Sequence, residues 1–251
     1  MTTTGPGTAL VTGCASGVGE AVTRRYVARG WNVVGVDLQE VSIEGVVAVR
    51  GDVANAATWD EVARVLGDSP VDALVGAAGQ IKVKPILDTT ADDLRELFDV
   101  NVVGVLRGIQ LCIPRMVRRG GGSIVVVASV DATLVEPQMG AYCVSKGGLV
   151  QLVRAAALEH AHQGVRINGV CPGAVDTPLL RQHLESTGDL AAGVADIESA
   201  TPTGKLISAD EVAACIEFLA SDAAGGVSGT FLTVDGGMTS TIAFDLNAVR
   251  A

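Results

Sequence analysis

A parallel β-sheet wrapped on both faces by helices, the doubly wound α/β class, is the fold this sequence predicts, and three observations predict it. Short runs of Val, Ile, Leu and Ala recur along the chain and alternate with longer stretches of helical period. The run Ser123–Ala128 is apolar and β-branched after its first residue, as expected of a strand covered on both faces. At the start of the chain a strand, a glycine-rich turn and a helix follow one another without a gap.

Composition narrows the class. With 251 residues and 48% hydrophobic content, one large domain spanning residues 1–251 is the expectation. Thirty-one glycines and only 3% aromatics describe a core of small side chains. The net charge of -10 and the lack of any basic block argue against nucleic acid and anionic membranes as partners. Five cysteines, at 14, 112, 143, 171 and 215, show neither paired spacing nor nearby histidines, so they read as buried thiols in a reducing compartment, and no metal site is expected. The first residues lack a charged start and an apolar core, and no run of about 18 apolar residues occurs later, so a cytoplasmic protein is expected.

In order, Thr8–Thr12 is the first strand, and Gly13-Cys-Ala-Ser16-Gly17-Val18-Gly19 leads into the helical pattern Ala21, Val22, Tyr26, Val27. Glycines there permit positive φ and close approach of a phosphate, and the helix start offers free N–H groups. The second strand, Trp31–Val36, ends in Asp37, whose carboxylate can accept both adenosine ribose hydroxyls and repels a 2′-phosphate; with no cation in the loop or just after Asp37, NAD is favoured over NADP. Fourteen residues separate Asp37 from Asp52, too few for a full helix plus the strand Val46–Arg50, so one crossover is abbreviated. A short helix over 58–66 and a fourth strand, Ala73–Gly76, follow.

Residues 90–117 read as one long helix with Leu94, Phe98, Val102, Val105 and Ile109 on its covered side. Asn101 beside that stripe is a buried amide that needs hydrogen-bond partners. Gly104 and Gly108 mark close packing, and their small-residue face is compatible with self-association. A sixth strand spans Gly164–Cys171. Leu179–Lys205, interrupted by Gly188 and Gly193, reads as a binding loop. A helix over 209–220, capped by Ser208 with Glu211, leads to the last strand, Thr230–Val234.

Ser129 stands at the carboxyl end of the central strand, where ligands collect in open α/β sheets. Downstream, Tyr142, Lys146, Leu149, Val153 and Ala156 form one helical stripe. A phenol one turn from an ammonium is a candidate general acid/base, the positive neighbour being expected to lower the tyrosine pKa from about 10.

Taken together, Thr12-Gly-Cys-Ala-Ser-Gly-Val-Gly19, Asp52-Val53, Asn101, Ser129, Tyr142-Cys-Val-Ser-Lys146, Asn168, Pro172-Gly173 and Asp235-Gly-Gly237 resemble, in kind and order, the short-chain dehydrogenase/reductase superfamily in its common single-domain branch. The resemblance implies a Rossmann-type, three-layer fold with a seven-stranded parallel sheet and a catalytic set of Asn101, Ser129, Tyr142 and Lys146 in an enzyme that interconverts a secondary alcohol and a ketone. Tyr142 then exchanges the alcohol proton, Ser129 bonds the substrate oxygen, Lys146 holds the ribose and Asn101 supports a water relay. It also implies an NAD site formed by Gly13, Ser16, Gly17, Val18, Gly19, Asp37, Asp52, Val53, Ala77, Ala78, Tyr142, Lys146, Val175 and Thr177, and a homotetramer. The family's Asn-Asn-Ala-Gly stands here as Gly76-Ala-Ala-Gly79, which removes two bracing side chains. The short crossover and Leu179-Leu180 favour an apolar or alicyclic alcohol such as a hydroxysteroid, with a 3-oxoacyl thioester, a cis-dihydrodiol or a sugar alcohol as alternatives. An NAD-sensing module without turnover, or a methyltransferase, is disfavoured by the intact Ser, Tyr and Lys.

Overall fold

The computed structural model describes residues 6–240. Nine strands are described: β1 (Thr8–Thr12), β2 (Asn32–Asp37), β3 (Val46–Arg50), β4 (Ala73–Gly76), β5 (Gly122–Val127), β6 (Val165–Pro172), β7 (Val175–Asp176), β8 (Ile207–Ser208) and β9 (Phe231–Val234). Seven form one parallel sheet in the order β3-β2-β1-β4-β5-β6-β9, and β7 pairs with β8 apart from it. The helices are α1 (Gly17–Ala28), α2 (Ala56–Leu66), α3 (Ala91–Phe98), α4 (Gly104–Arg119), α5 (Gly140–His160), α6 (Pro178–Thr187), α7 (Leu190–Ala200) and α8 (Ala209–Ala220). The seven-stranded, doubly wound sheet expected from the sequence is what forms, and the step from β2 to β3 contains no helix, as the short spacing required.

Alternation along each strand explains why the strands are apolar throughout. In β1, Leu10 joins Val62 of α2, Ile109 of α4 and Leu149 of α5 in one core, while Ala9 and Val11 join Val22 of α1 and Ile216 of α8 in the other. The strand order reverses between β1 and β4, so the loops after both strands open a crevice at their carboxyl ends. Gly13, Ala77, Ala78 and Ser129 all lie there.

Two expectations need correcting. The stretch 179–205 is largely helical: Thr177 caps α6 with Pro178 at its start, and Asp189 caps α7 by accepting from the amides of Ala191 and Ala192. The glycines that looked like breakers serve a joint, since Gly188 has φ +136° between the helices and a Cβ at Gly193 would sit 2.9 Å from the Leu184 side chain. Nor is the face of Gly104 and Gly108 open to another subunit. A Cβ at Gly104 would lie 2.9 Å from Val53, and one at Gly108 would lie 3.0 Å from Trp59, so both pack within the chain.

The long helix runs from Ala91 to Arg119, but a π-helical turn, Asp99–Val103, divides α3 from α4. It has the length and hydropathy to cross a membrane, yet Leu97, Val102, Val105, Ile109 and Met116 are buried in the core of the fold. Four cysteines are buried as expected and Cys215 is half-buried; all five are free thiols.

Filling the space at Gly104 should overpack the contact with Val53. Gly104→Val is expected to lower stability by about 1–3 kcal/mol, read as a shift in urea midpoint at unchanged slope; an unchanged midpoint would mean that the helix is not held where these contacts place it.

Candidate active site

The crevice is a cleft of about 690 Å³. At one end β1 turns through Gly13, at φ +70°, into Gly17, at φ +55°, the first residue of α1. A Cβ on Gly13 would lie 2.7 Å from the backbone N of Ala78, and one on Gly19 would lie 2.0 Å from the carbonyl of Gly13, so backbone approaches backbone where only glycine fits. Ser16 makes no side-chain cap to α1, which leaves the helix start to an outside acceptor. This cradle fits the phosphates of a dinucleotide. Ser16, Val18, Asp37, Asp52, Val53, Ala77, Ala78, Val175 and Thr177 line the same cleft, so the structure brings together the whole set expected to hold the cofactor. In the Gly76–Gly79 stretch the Thr12 hydroxyl accepts from Ala78 N at 3.2 Å.

At the same end of the cleft, Asp37 Oδ2 accepts from Ala15 N and Oδ1 from Gln39 N, both at 2.9 Å. Each oxygen keeps a second lone pair for a hydroxyl. Here the sequence reading missed a cation. Arg50 is the register partner of Asp37 on β3, and its Nε donates to Leu38 O at 3.0 Å. Strand pairing, rather than chain proximity, puts it there.

At the other end β5 delivers Ser129 and α5 delivers Tyr142 and Lys146. Lys146 is 5% exposed, its Nζ donates to Val127 O at 2.9 Å, and the ammonium lies 5.6 Å from the centre of the Tyr142 ring. Burial pulls its pKa down to about 8. Tyr142 is raised above the ordinary range of tyrosine, first because its hydroxyl is removed from water and then because Asp131 is nearby; a hydrogen bond with Ser129 works the other way. The expected lowering of the phenol by Lys146 is therefore absent in the protein alone, because desolvation outweighs an ammonium turned toward a carbonyl.

Asn101 is fully buried on the π-helical turn. Its Oδ1 accepts from Gln80 N at 2.9 Å, and its Nδ2 donates to Gln80 O and to Ser145 Oγ, both at 3.0 Å. Ser145 Oγ in turn donates to Tyr142 O at 2.7 Å. Asn101 thus ties the long helix and the loop after β4 to the first turn of α5. Farther off, Asn168 is also fully buried and joins β6 to Val227 and Thr230.

Two carboxylates that the sequence did not single out line the cleft with Ser129 and Tyr142. Asp131 is 6% exposed; its Oδ2 accepts from the Ser129 hydroxyl at 2.9 Å, and its N donates to Ser129 Oγ at 3.1 Å. Glu136 lines the cleft beside it. Burial lifts both carboxyls above their usual range, and Asp131 adds to the rise at Glu136. The only sequence signal was position, two and seven residues past Ser129; enclosure in the fold gives Asp131 its chemistry. Ile81, Met139, Leu179 and Ile197 supply an apolar wall.

With a nucleotide cradle and a Ser, Tyr and Lys set facing one cleft, comparison with known proteins is informative. Residues 13–239 match the family model described as enoyl-(acyl carrier protein) reductase. D-threitol dehydrogenase of Mycolicibacterium smegmatis is 36% identical, with 92% of each chain covered. Cis-4-hydroxycyclohexanecarboxylate dehydrogenase of Sinomonas cyclohexanicum is 34% identical, with 92% of this chain and 96% of the relative covered. The ligand-free structure of Thermoplasma acidophilum aldohexose dehydrogenase superposes with a TM-score of 0.88 at 29% identity over 96% of each chain. The chain belongs to the short-chain dehydrogenase/reductase family and is an oxidoreductase of the alcohol dehydrogenase type.

The buried ammonium makes stability depend on pH. The folded pKa of Lys146, about 8, lies below the unfolded value of about 10.4, so between them the unfolded chain binds the extra proton and stability rises with pH. Relative to Lys146→Met, the wild type is expected to gain up to about 3 kcal/mol across that window, measured by urea unfolding at stepped pH. A difference that does not vary with pH would show that the lysine titrates as it does in water.

Proposed function

We propose that this protein interconverts a secondary alcohol and a ketone with NAD, using Tyr142 as the general acid/base. The observation that carries the reading is that Ser129, Tyr142 and Lys146 face the same cleft as the glycine cradle. When bound, the nicotinamide supplies the two-electron redox chemistry. The protein's own residues do the rest. Ser129 bonds the substrate oxygen, Tyr142 takes the alcohol proton in oxidation or gives it in reduction, and Lys146 donates to the cofactor ribose while its charge favours the phenolate. The second lone pair of Asn101 Oδ1 is available to a relay water. Gly13, Ser16, Gly17, Val18 and Gly19 hold the phosphates, Asp37 the adenosine ribose, Asp52 and Val53 the adenine, and Val175 and Thr177 the nicotinamide amide, beside Ala77 and Ala78.

For the substrate, the apolar wall suits the ring of an alicyclic alcohol, while the buried Asp131 and the exposed Glu136 make the same end of the cleft acidic and disfavour anionic acyl thioesters. A neutral alcohol with few charged groups fits both features. The name of D-threitol dehydrogenase supports a neutral alcohol, and that of cis-4-hydroxycyclohexanecarboxylate dehydrogenase supports the alicyclic ring but not the absence of charge. We extend the reading to a cytoplasmic homotetramer: exposed Leu158 on α5 and Phe218 on α8 provide apolar surface for it.

Tyr142→Phe is expected to lower turnover by at least about 10²-fold while nucleotide still binds, measured by reduced-cofactor absorbance and by cofactor titration. Full activity in that variant would remove Tyr142 from the chemistry. Asp37 is expected to impose a preference for NAD in kcat/KM, and Asp37→Ser to relax it, since Arg50 remains beside the pocket; a wild type that prefers NADP would show that Asp37 does not bind the ribose.

A further inference from the structure

We propose that two loops at the mouth of the cleft form an apolar rim that carries the distal part of the substrate, so that the preferred substrate is a neutral alcohol with an extended apolar body. A long alkyl chain or fused rings would supply that body. The proposal deepens the proposed function and rests on its assignment of Ser129 and Tyr142 to the reacting oxygen.

Both loops leave the cleft wall and turn apolar side chains to solvent. After β4, Gln80 and Ile81 line the cleft, and the loop goes on to Ile86 and Leu87, both exposed. After β5, Glu136 and Met139 line the cleft, and Leu134 and Val135, just before them in the chain, are exposed. The loops are joined to each other. Lys84 N donates to Gln138 O at 2.8 Å, and a Cβ on Gly140 would come within 3.3 Å of Ile86 Cδ1. Single exposed leucines need no explanation, but four large apolar side chains on one tied pair of loops at a cleft mouth mark a surface for an apolar ligand.

The cations of the first loop are drawn away from this rim. Lys84 pairs with Asp93 at 2.8 Å, and Lys82 pairs with Asp93 at 3.1 Å and with Glu96, so both ammonium groups are held against α3. Asp93 is itself buried and closes the cap of α3 with Thr90. At the inner edge Glu136 disfavours an anionic tail, so the body that follows the reacting carbon is neutral. Size points the same way. A cleft of about 690 Å³ is of the order that encloses one drug-sized ligand, and this one has to take a dinucleotide as well. With the dinucleotide in place, the space beside Ser129 and Tyr142 holds the reacting carbon and its near neighbours, and a longer substrate continues across the rim.

The alkan-2-ols from butan-2-ol to decan-2-ol, oxidised with NAD, test the rim. In the wild type kcat/KM is expected to rise about twofold or more per added methylene over the longer members, roughly half the gain in free energy of a fully enclosed methylene because one side stays wet. Leu134→Ser with Val135→Ser, and Ile86→Ser with Leu87→Ser, should each flatten that rise and leave butan-2-ol unchanged. Leu87 is 95% and Val135 77% exposed, so these changes do not open the core. Leu158→Ser, at an exposed position near the far end of α5, should leave the whole series as it is. Thermal shift with NADH, which cannot accept the hydride, gives the ranking without turnover: decan-2-ol stabilises the wild type more than butan-2-ol does, and the double variants lose the difference. A wild type that does not distinguish chain length in either assay, or a rise that survives both double variants, would overturn the proposal. So would double variants that break the assembly in sedimentation and lower butan-2-ol as much as decan-2-ol, since the rim is then a contact between subunits. If no alcohol turns over but the binding ranking persists, the catalytic reading fails and the rim stands.

Discussion

The buried ammonium of Lys146, held at 2.9 Å by the carbonyl of Val127, is the contact on which the site depends. Val127 is the last residue of the central strand, and Lys146 lies in the second turn of the helix that carries Tyr142. One hydrogen bond thus fixes the register of that helix against the end of the sheet. Such a charge is expensive to bury, so its surroundings must be tightly determined. Asn101 helps by tying the π-helical turn and Gln80 to Ser145, one residue before the lysine. Gly79 leaves room, since a Cβ there would come within 3.6 Å of the ammonium and 3.3 Å of Asn101 Oδ1. The π-turn, often found at functional sites, places the amide where a regular helix would carry it past.

Charge balance then governs the phenol. Around Tyr142, Asp131 and Glu136 oppose ionisation, burial opposes it more strongly, and the ammonium faces a carbonyl. In the protein alone Tyr142 is consequently a proton donor. In the proposed oxidation of an alcohol it would have to become an acceptor, and an oxidised nicotinamide held in the same cleft would bring a positive charge to it. The base would then be assembled with the cofactor, which keeps an unscreened phenolate from persisting in the free protein.

Much of this was legible in the sequence because it depends on local pattern. The seven strands announce themselves through apolar runs, the nucleotide cradle through glycines directly between a strand and a helix, and the Tyr142 and Lys146 stripe through helical spacing. What could not be read depends on distant pairing or on burial. Arg50 stands beside Asp37 only because β3 pairs with β2. Gly104 and Gly108 looked like a docking face until Val53 and Trp59 were seen to fill it. Gly188 and Gly193 obscured α6 and α7 because they serve the joint between those helices, and a helical period cannot reveal a joint. For Asp131, composition suggests a solvated acid; only its enclosure shows it buried against the Ser129 hydroxyl. The sign of the tyrosine shift failed for the same reason, since spacing gives neighbours but not desolvation.

The chain contains only two tyrosines, and burial raises both Tyr26 and Tyr142 in the protein alone. Ultraviolet difference titration of phenolate, with and without NAD, therefore reads the proposed acid/base almost directly. Without the nucleotide neither ring should ionise near neutral pH. With it, one tyrosine should ionise at clearly lower pH, and the signal should vanish in Tyr142→Phe. Identical titration curves with and without saturating NAD would contradict the assignment of Tyr142 as the group that exchanges the substrate proton.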